Sequence, residues 1–237
     1  MKLDMLPLDY FVAGVPAGTL FKMDLDDLKD MVSSPKKEEA SGLNPIAQVC
    51  LIGLVSYFEA FCKNQFASLI NICPLILNSF CEKRADTSIK IIDLLALDLN
   101  TKNKLGFLLA EKYDFGSAKK INSFYKDLLS ITPFSKDQIK KYEMLLNDRN
   151  LLVHHGGIFT MKYHKQTFKK QSLRNRVYLD SLVISKEDFL QWAEFVEHIV
   201  IKIINGSFRA LRKFIDSNKL ELLNEHKKAF EYLQGYD

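Results

Sequence analysis

Residues 45–72 read PIAQVCLIGLVSYFEAFCKNQFASLINI, and this stretch decides the fold. Apolar side chains fall on nearly every side of a helix built from it, which is typical of a central helix surrounded by its neighbours. Pro45 suits the first turn of such a helix, and Pro74 ends or kinks it. We therefore predict a buried helix from Pro45 to Ile72 and a further helix after Pro74 that extends to Lys83.

The composition of the chain also favours helices over a turn-rich β architecture. Only 10 glycines and 6 prolines occur among the 237 residues, and 47% of the chain is hydrophobic. Helical periodicity predicts further elements over residues 23–33, 88–98, 102–113, 117–130 and 186–205. In the last of these Ser185 is the cap, and the expected inner face comprises Phe189, Trp192, Ala193, Val196, Ile199 and Ile203. We expect an all-α fold, an antiparallel helical bundle with a small irregular or hairpin insert over 158–184.

Three parts follow from this pattern. Residues 1–43 are expected to be an N-terminal arm, irregular up to residue 21, that ends in an exposed linker. Residues 44–205 are expected to form the bundle. Residues 206–237 are expected to be a mostly polar helical extension packed on the same domain.

Cysteines, targeting signals and metal motifs give expectations about location and cofactors. The cysteines form no CxxC pair and stand in apolar sequence, so we expect reduced core thiols at Cys50, Cys62, Cys73 and Cys81. No apolar signal peptide opens the chain, and charged residues interrupt its most apolar region, so we expect a cytoplasmic protein without a membrane span. Because the sequence has no HExxH motif and no Asp-rich loop, we predict no metal and no cofactor.

Polar residues stand at the end of a second predicted long helix. Residues 135–157 read SKDQIKKYEMLLNDRNLLVHHGG, with a capping box at Ser135 and Gln138 and a natural stop at Gly156. At about 100° per residue, Arg149 falls within the apolar stripe of this helix. The same projection puts Asn150 and His154 on one edge of the stripe and His155 on the opposite face.

A guanidinium on an inward face needs an anion or carbonyl oxygens. Glu59 in the central helix is one candidate, and Lys63 lies four residues further on, where the two side chains can pair. They either form a structural ion pair, in which Glu59 also holds Arg149, or lie at the floor of a polar cleft. The ordinary structural alternatives are that His154 caps helix carbonyls and that Asn150 binds neighbouring backbone.

Positive charge concentrates from Arg149 onward, although the whole chain has a net charge of only +4. Residues 149–179 contain no Asp or Glu, and aromatic residues are interleaved with the cations. Such a segment is either a solvated loop or a surface for a phosphate backbone with stacking partners. On the second interpretation the RNA-binding residues are Lys162, Lys165, Lys169, Lys170, Arg174 and Arg176.

Arg149, Asn150 and His154, followed by glycines at the end of a long helix, resemble the signature of HEPN domains. That signature is an arginine, usually with a polar neighbour, and a histidine after four to six intervening residues; His155 also satisfies the spacing. Glu59 and Lys63 resemble the glutamate and lysine that the family often has in an earlier helix. The resemblance covers roughly residues 44–205.

The resemblance implies a helical bundle, frequently dimeric, with two motif helices in a shared cleft. Many members of the family are metal-independent endoribonucleases, often toxins or effectors of antiphage defence, and others act only by binding. The resemblance therefore assigns catalysis to Arg149, Asn150 and His154, with Glu59, Lys63 and His155 in support. A symmetric dimer would supply the second histidine, and a neutralising antitoxin or defence partner is a further expectation.

Three hypotheses follow. The first is a metal-independent endoribonuclease that acts on RNA by attack of the 2′-hydroxyl. The second is a non-catalytic helical module that binds RNA, a nucleotide or a protein partner. The third is a structural all-α domain with a buried ion network.

Overall fold

The computed structural model describes residues 6–34, 44–85, 87–95, 104–167 and 177–236. The fold is all-α, as predicted, and within these ranges the chain forms ten α-helices and no named strand. In chain order the helices are α1 Ala17–Ser33, α2 Pro45–Ile72, α3 Leu77–Lys83, α4 Ile91–Leu95, α5 Leu105–Glu111, α6 Ala118–Leu129, α7 Lys136–His155, α8 Met161–Thr167, α9 Lys186–Ser217 and α10 Asn224–Tyr232.

Helix α2 has the predicted bounds. The Asn44 side chain caps it, because its Oδ1 accepts a hydrogen bond from the Ala47 backbone at 3.0 Å. Every residue from 65 to 73 is buried, which confirms a helix that is enclosed on all sides over that length. By length and composition alone α2 could also cross a membrane, a criterion that the central helix of a folded domain meets equally well.

The chain divides into two compact units. The first comprises Met1–Met23, Glu59–Phe134 and His198–Asp237, and the second comprises Asp24–Phe58 and Ser135–Glu197. Each unit is therefore built from segments that are distant in sequence.

The core of the first unit is aromatic. Phe66 on α2 contacts a shell of rings whose centroids lie 5.5–6.3 Å away: Phe80, Tyr113, Phe115, Phe124 and Tyr125. Tilted and edge-on pairs of this kind stabilise beyond the area that they bury. Gly106 lets α5 approach α2 closely, because a Cβ there would lie 2.1 Å from the Ala67 carbonyl oxygen.

The first unit also joins the two ends of the chain. The Thr19 hydroxyl donates to the Gly235 carbonyl at 3.0 Å, and the Tyr10 hydroxyl lies 3.3 Å from Nε2 of His226. Residues 7–23 contribute buried side chains such as Tyr10 and Phe21, so this part of the expected arm belongs to the packed structure.

The second unit holds α7 and α8. Phe58 packs edge-on against Tyr142 of α7, with ring centroids 5.4 Å apart. Lys29 and Glu197 form a salt bridge of 2.8 Å, and the Gln48 amide donates to the Leu182 carbonyl at 3.4 Å. These contacts fix the elements from which the candidate site is built.

Several elements differ from the sequence predictions. Helix α1 begins at residue 17 rather than 23, and α9 continues past 205 to Ser217. The segment 158–184 contains α8, which the sequence pattern did not predict. Cys50, Cys62 and Cys73 are buried as expected, but Cys81 is exposed, so its prediction as a core residue was wrong. Residues 35–42 of the expected linker lie outside the described residues.

Candidate functional site

The motif stands in the last turns of α7, and the predicted signals define both ends of this helix. Ser135 and Gln138 form a reciprocal capping box at its start. Gly156 ends it in the left-handed region with φ of 57°, where glycine avoids the steric penalty of a Cβ. The polar groups of the last turn therefore border the point where the chain leaves the helix.

After the glycines the chain turns back and forms α8. The Phe159 amide donates to the Asp180 carbonyl at 3.0 Å, and the Leu182 amide donates to the Gly157 carbonyl at 2.9 Å. The Ile158–Ser181 bridge between these bonds is a minimal antiparallel pairing that closes the insert. Thr160 precedes α8, and its hydroxyl accepts a hydrogen bond from the Tyr163 amide.

Helices α7 and α8 enclose a cleft of about 290 Å³. Helix α7 lines it with Asn147, Asn150, Leu151, His154 and His155. The insert lines it with Thr160, Lys162, Tyr163 and Gln166. Most of these side chains are hydrogen-bonding groups, and no carboxylate is among them, so the cleft suits an anionic or strongly polar ligand.

The motif residues fall partly as the helical projection predicts. Asn150 and His154 line the cleft. His155 lines it too, so the expectation that His155 faces away was wrong; its ring centroid lies 6.5 Å from that of His154. Both imidazoles are exposed and therefore accessible to a ligand.

Arg149 occupies a different environment from its neighbours in the motif. It is half-buried, its Nε atom is enclosed, and it is not one of the residues that line the cleft. The inward placement agrees with the helical projection. The lysine that lines the cleft is Lys162 of α8.

A partly buried hydrogen bond connects the two helices of the site. The Tyr163 hydroxyl donates to Oδ1 of Asp148 at 2.7 Å. Burial raises the pKa of Asp148 and nearby Asp188 adds to the rise, while the bond from Tyr163 opposes it. Burial and the Asp148 carboxylate also raise the pKa of Tyr163, so the phenol stays protonated and donates.

Glu59 and Lys63 do not line this cleft. Both are half-buried residues of α2 and belong to the first unit, whereas the cleft belongs to the second. The Ser56 hydroxyl, also on α2, donates to the Ile52 carbonyl of its own helix. The polar cleft of the second unit is therefore lined by α7, Thr160 and α8, and not by Glu59 or Lys63.

The basic segment is described only in part. Lys162 lines the cleft and Lys165 is exposed on α8, whereas His164 is buried. The remaining predicted RNA-binding residues lie outside the described residues: Lys169, Lys170, Arg174 and Arg176.

Four polar lining residues were not predicted from the sequence: Asn147, Thr160, Tyr163 and Gln166. A signal for Asn147 existed, because Asn147, Asn150 and His154 have the i, i+3, i+7 spacing of one helix face. The other three depend on α8.

In the part of the chain that the structure describes, no group of three or more His, Cys, Asp or Glu side chains is placed to hold a metal ion. The chemistry available in the cleft is that of imidazole, amide, hydroxyl and ammonium groups. Comparison with protein-family models, with curated proteins and with solved structures found no match to the chain.

Proposed function

We propose that the protein is a metal-independent endoribonuclease and that the cleft between α7 and α8 is its active site. The observation that carries the proposal is the convergence of His154, His155 and Lys162 on one open polar cleft. Imidazole exchanges protons near neutral pH, and an ammonium group binds a phosphate as a point charge. These are the groups that cleavage of RNA by its own 2′-hydroxyl requires.

Each lining group has a role in this reaction. His154 lies within hydrogen-bond reach of a bound phosphodiester and exchanges a proton with one of the reacting oxygens. Lys162 neutralises phosphate charge, and the Asn150 amide donates to a phosphate oxygen or to the base. Asn147 and Gln166 provide further hydrogen bonds for an unpaired nucleotide, so the preferred substrate is single-stranded RNA.

Arg149 receives a different role from the one that the HEPN resemblance implies. Because it is half-buried and outside the cleft lining, we assign it to holding α7 in place rather than to gripping the phosphate. Glu59 and Lys63 are likewise assigned to the packing of their own unit.

The resemblance supplies the biological setting of the proposal. A toxin or antiphage-defence effector, a homodimer, a neutralising partner and a cytoplasmic location all stay predictions. Binding without cleavage by the same cleft is the alternative function, since its hydrogen-bonding groups also suit a nucleotide.

Incubation of the purified protein with a fluorescent single-stranded RNA in EDTA tests the proposal. We expect cleavage by the wild type and a loss of about 10²–10⁴-fold in His154→Ala, the usual contribution of a general acid or base. His198→Ala is the matched control, because His198 is an exposed histidine on α9 outside the cleft. Retention of RNA without cleavage would instead establish the binding module.

A further inference from the structure

We propose that His155 is a second catalytic residue, so that one chain carries both the general base and the general acid of the cleavage reaction. This inference rests on the proposed function and deepens it. The HEPN resemblance implies a second histidine from another copy of the chain, whereas the cleft of a single chain already holds two.

The geometry that supports the pair is the position of both rings in one cleft. Consecutive residues of a helix point about 100° apart, so they rarely serve the same site. Here the insert returns beside the last turn of α7, and the lining extends around the helix end to include His154 and His155. Their ring centroids are 6.5 Å apart and both rings are exposed.

That separation suits one phosphodiester held between the rings. A general acid or base must lie within about 2.6–3.2 Å of the atom with which it exchanges a proton. Because the ring nitrogens lie at the edges of the imidazoles, centroids 6.5 Å apart allow the 2′- and 5′-oxygens of one phosphodiester each to approach a different ring. Lys162 lines the same cleft and can neutralise the non-bridging oxygens.

The reaction needs no component other than RNA. The neutral imidazole of one histidine takes the proton of the 2′-hydroxyl as the 2′-oxygen forms its bond to phosphorus. The P–O5′ bond breaks, and the protonated imidazole of the other histidine gives its proton to the departing 5′-oxygen. The products are a 2′,3′-cyclic phosphate and a 5′-hydroxyl, and proton exchange with water restores both rings.

A substrate that contains sulfur at the leaving group distinguishes a general acid from a residue that is needed only for the structure. After the wild-type cut site is mapped, the same oligonucleotide is made with sulfur in place of the bridging 5′-oxygen, because a thiolate leaves without protonation. We expect His154→Ala and His155→Ala each to lose about 10²–10⁴-fold on normal RNA. On the sulfur substrate one variant should regain at least tenfold, and the other, which lacks the base, should not.

The outcomes distinguish this inference from the proposed function. If His155→Ala cuts normal RNA as fast as the wild type while His154→Ala is inactive, the proposed function survives and the pair is refuted. If neither folded variant regains activity on the sulfur substrate, the pair is likewise refuted. A wild type that does not cut RNA would remove both proposals.

Mixing the variants tests whether the pair acts within one chain. Equimolar His154→Ala and His155→Ala should show no more activity than the sum of the two alone. Marked recovery on mixing would place the two histidines of a working site in different copies. His155→Gln serves as a second variant, because glutamine keeps hydrogen bonding but cannot transfer a proton.

Discussion

Tyr163 of α8 donates a 2.7 Å hydrogen bond to the Asp148 carboxylate of α7, and this bond ties together the two helices that line the candidate site. The Tyr163 ring is also stacked on Phe159, with centroids 5.4 Å apart, so the insert is anchored by both polar and aromatic contacts. Lys162, next to Tyr163, owes its position at the cleft to this anchor.

Tyr163→Phe should lower the free energy of unfolding by about 1–3 kcal/mol, because it removes a hydrogen bond to a partly buried carboxylate. RNA cleavage should also fall, since α8 loses its tie to α7. Urea unfolding measures the first effect. Tyr178→Phe is the control, because that ring is 62% exposed; an equal loss in both variants would contradict the role of the bond.

Asp148→Asn should gain stability relative to the wild type as the pH rises from the usual pKa of an aspartate through the raised pKa of folded Asp148. The pKa of Asp148 is raised in the folded state, so between the unfolded and folded values the folded protein binds more protons. Wild-type stability from this group therefore falls as pH rises through that window, and asparagine removes the effect. Melting temperatures across the range measure it. Asp216→Asn, at an exposed position of α9, is the control. A difference in melting temperature between Asp148→Asn and the wild type that does not change with pH would refute the explanation.

Lys162→Ala should weaken RNA binding about equally for different sequences and reduce the slope of log affinity against log salt by about 1, as expected for one lost phosphate contact. Titration of labelled RNA at several salt concentrations measures both quantities. Lys140→Ala is the matched control, because Lys140 is exposed near the start of α7, where it pairs with Asp137 at 3.1 Å. An unchanged slope in the Lys162 variant would indicate that the RNA binds outside this cleft.

Arg149→Gln should lower the free energy of unfolding by about 1–3 kcal/mol, because it replaces a half-buried guanidinium whose Nε atom is enclosed. Cleavage per folded molecule should fall less than tenfold, since Arg149 does not line the cleft. Thermal unfolding and single-turnover cleavage on the same sample separate the two effects. An inactive variant with unchanged stability would show that Arg149 acts in catalysis, as the HEPN resemblance implies.

The sequence allowed accurate prediction where local signals act alone. Helix α2 is defined by a long apolar run after Asn44 and Pro45, and the start of α7 by its capping box. The end of α7 is also defined by a local signal, because Gly156 adopts a left-handed conformation that glycine tolerates best.

The parts that were missed depend on contacts distant in sequence. Helix α8 is short and polar. Its Tyr163 bonds to Asp148, and the residues just before it, 157–159, pair with residues 180–182; no periodicity in its own sequence reveals these contacts. His155 was placed on the wrong side for the same reason, since a helical projection cannot show where a neighbouring insert closes a cleft. The i, i+3, i+7 spacing of Asn147, Asn150 and His154 was visible, but it marks a face of the helix and not what covers it.

The chemical nature of the ends produced from RNA tests the central claim most directly. Purified protein is incubated with a defined single-stranded RNA in EDTA, and the fragments are identified by mass spectrometry. The proposal predicts 2′,3′-cyclic phosphate and 5′-hydroxyl ends that disappear in His154→Ala and persist in His198→Ala. Intact RNA, or cleavage that leaves 3′-hydroxyl and 5′-phosphate ends, would contradict it.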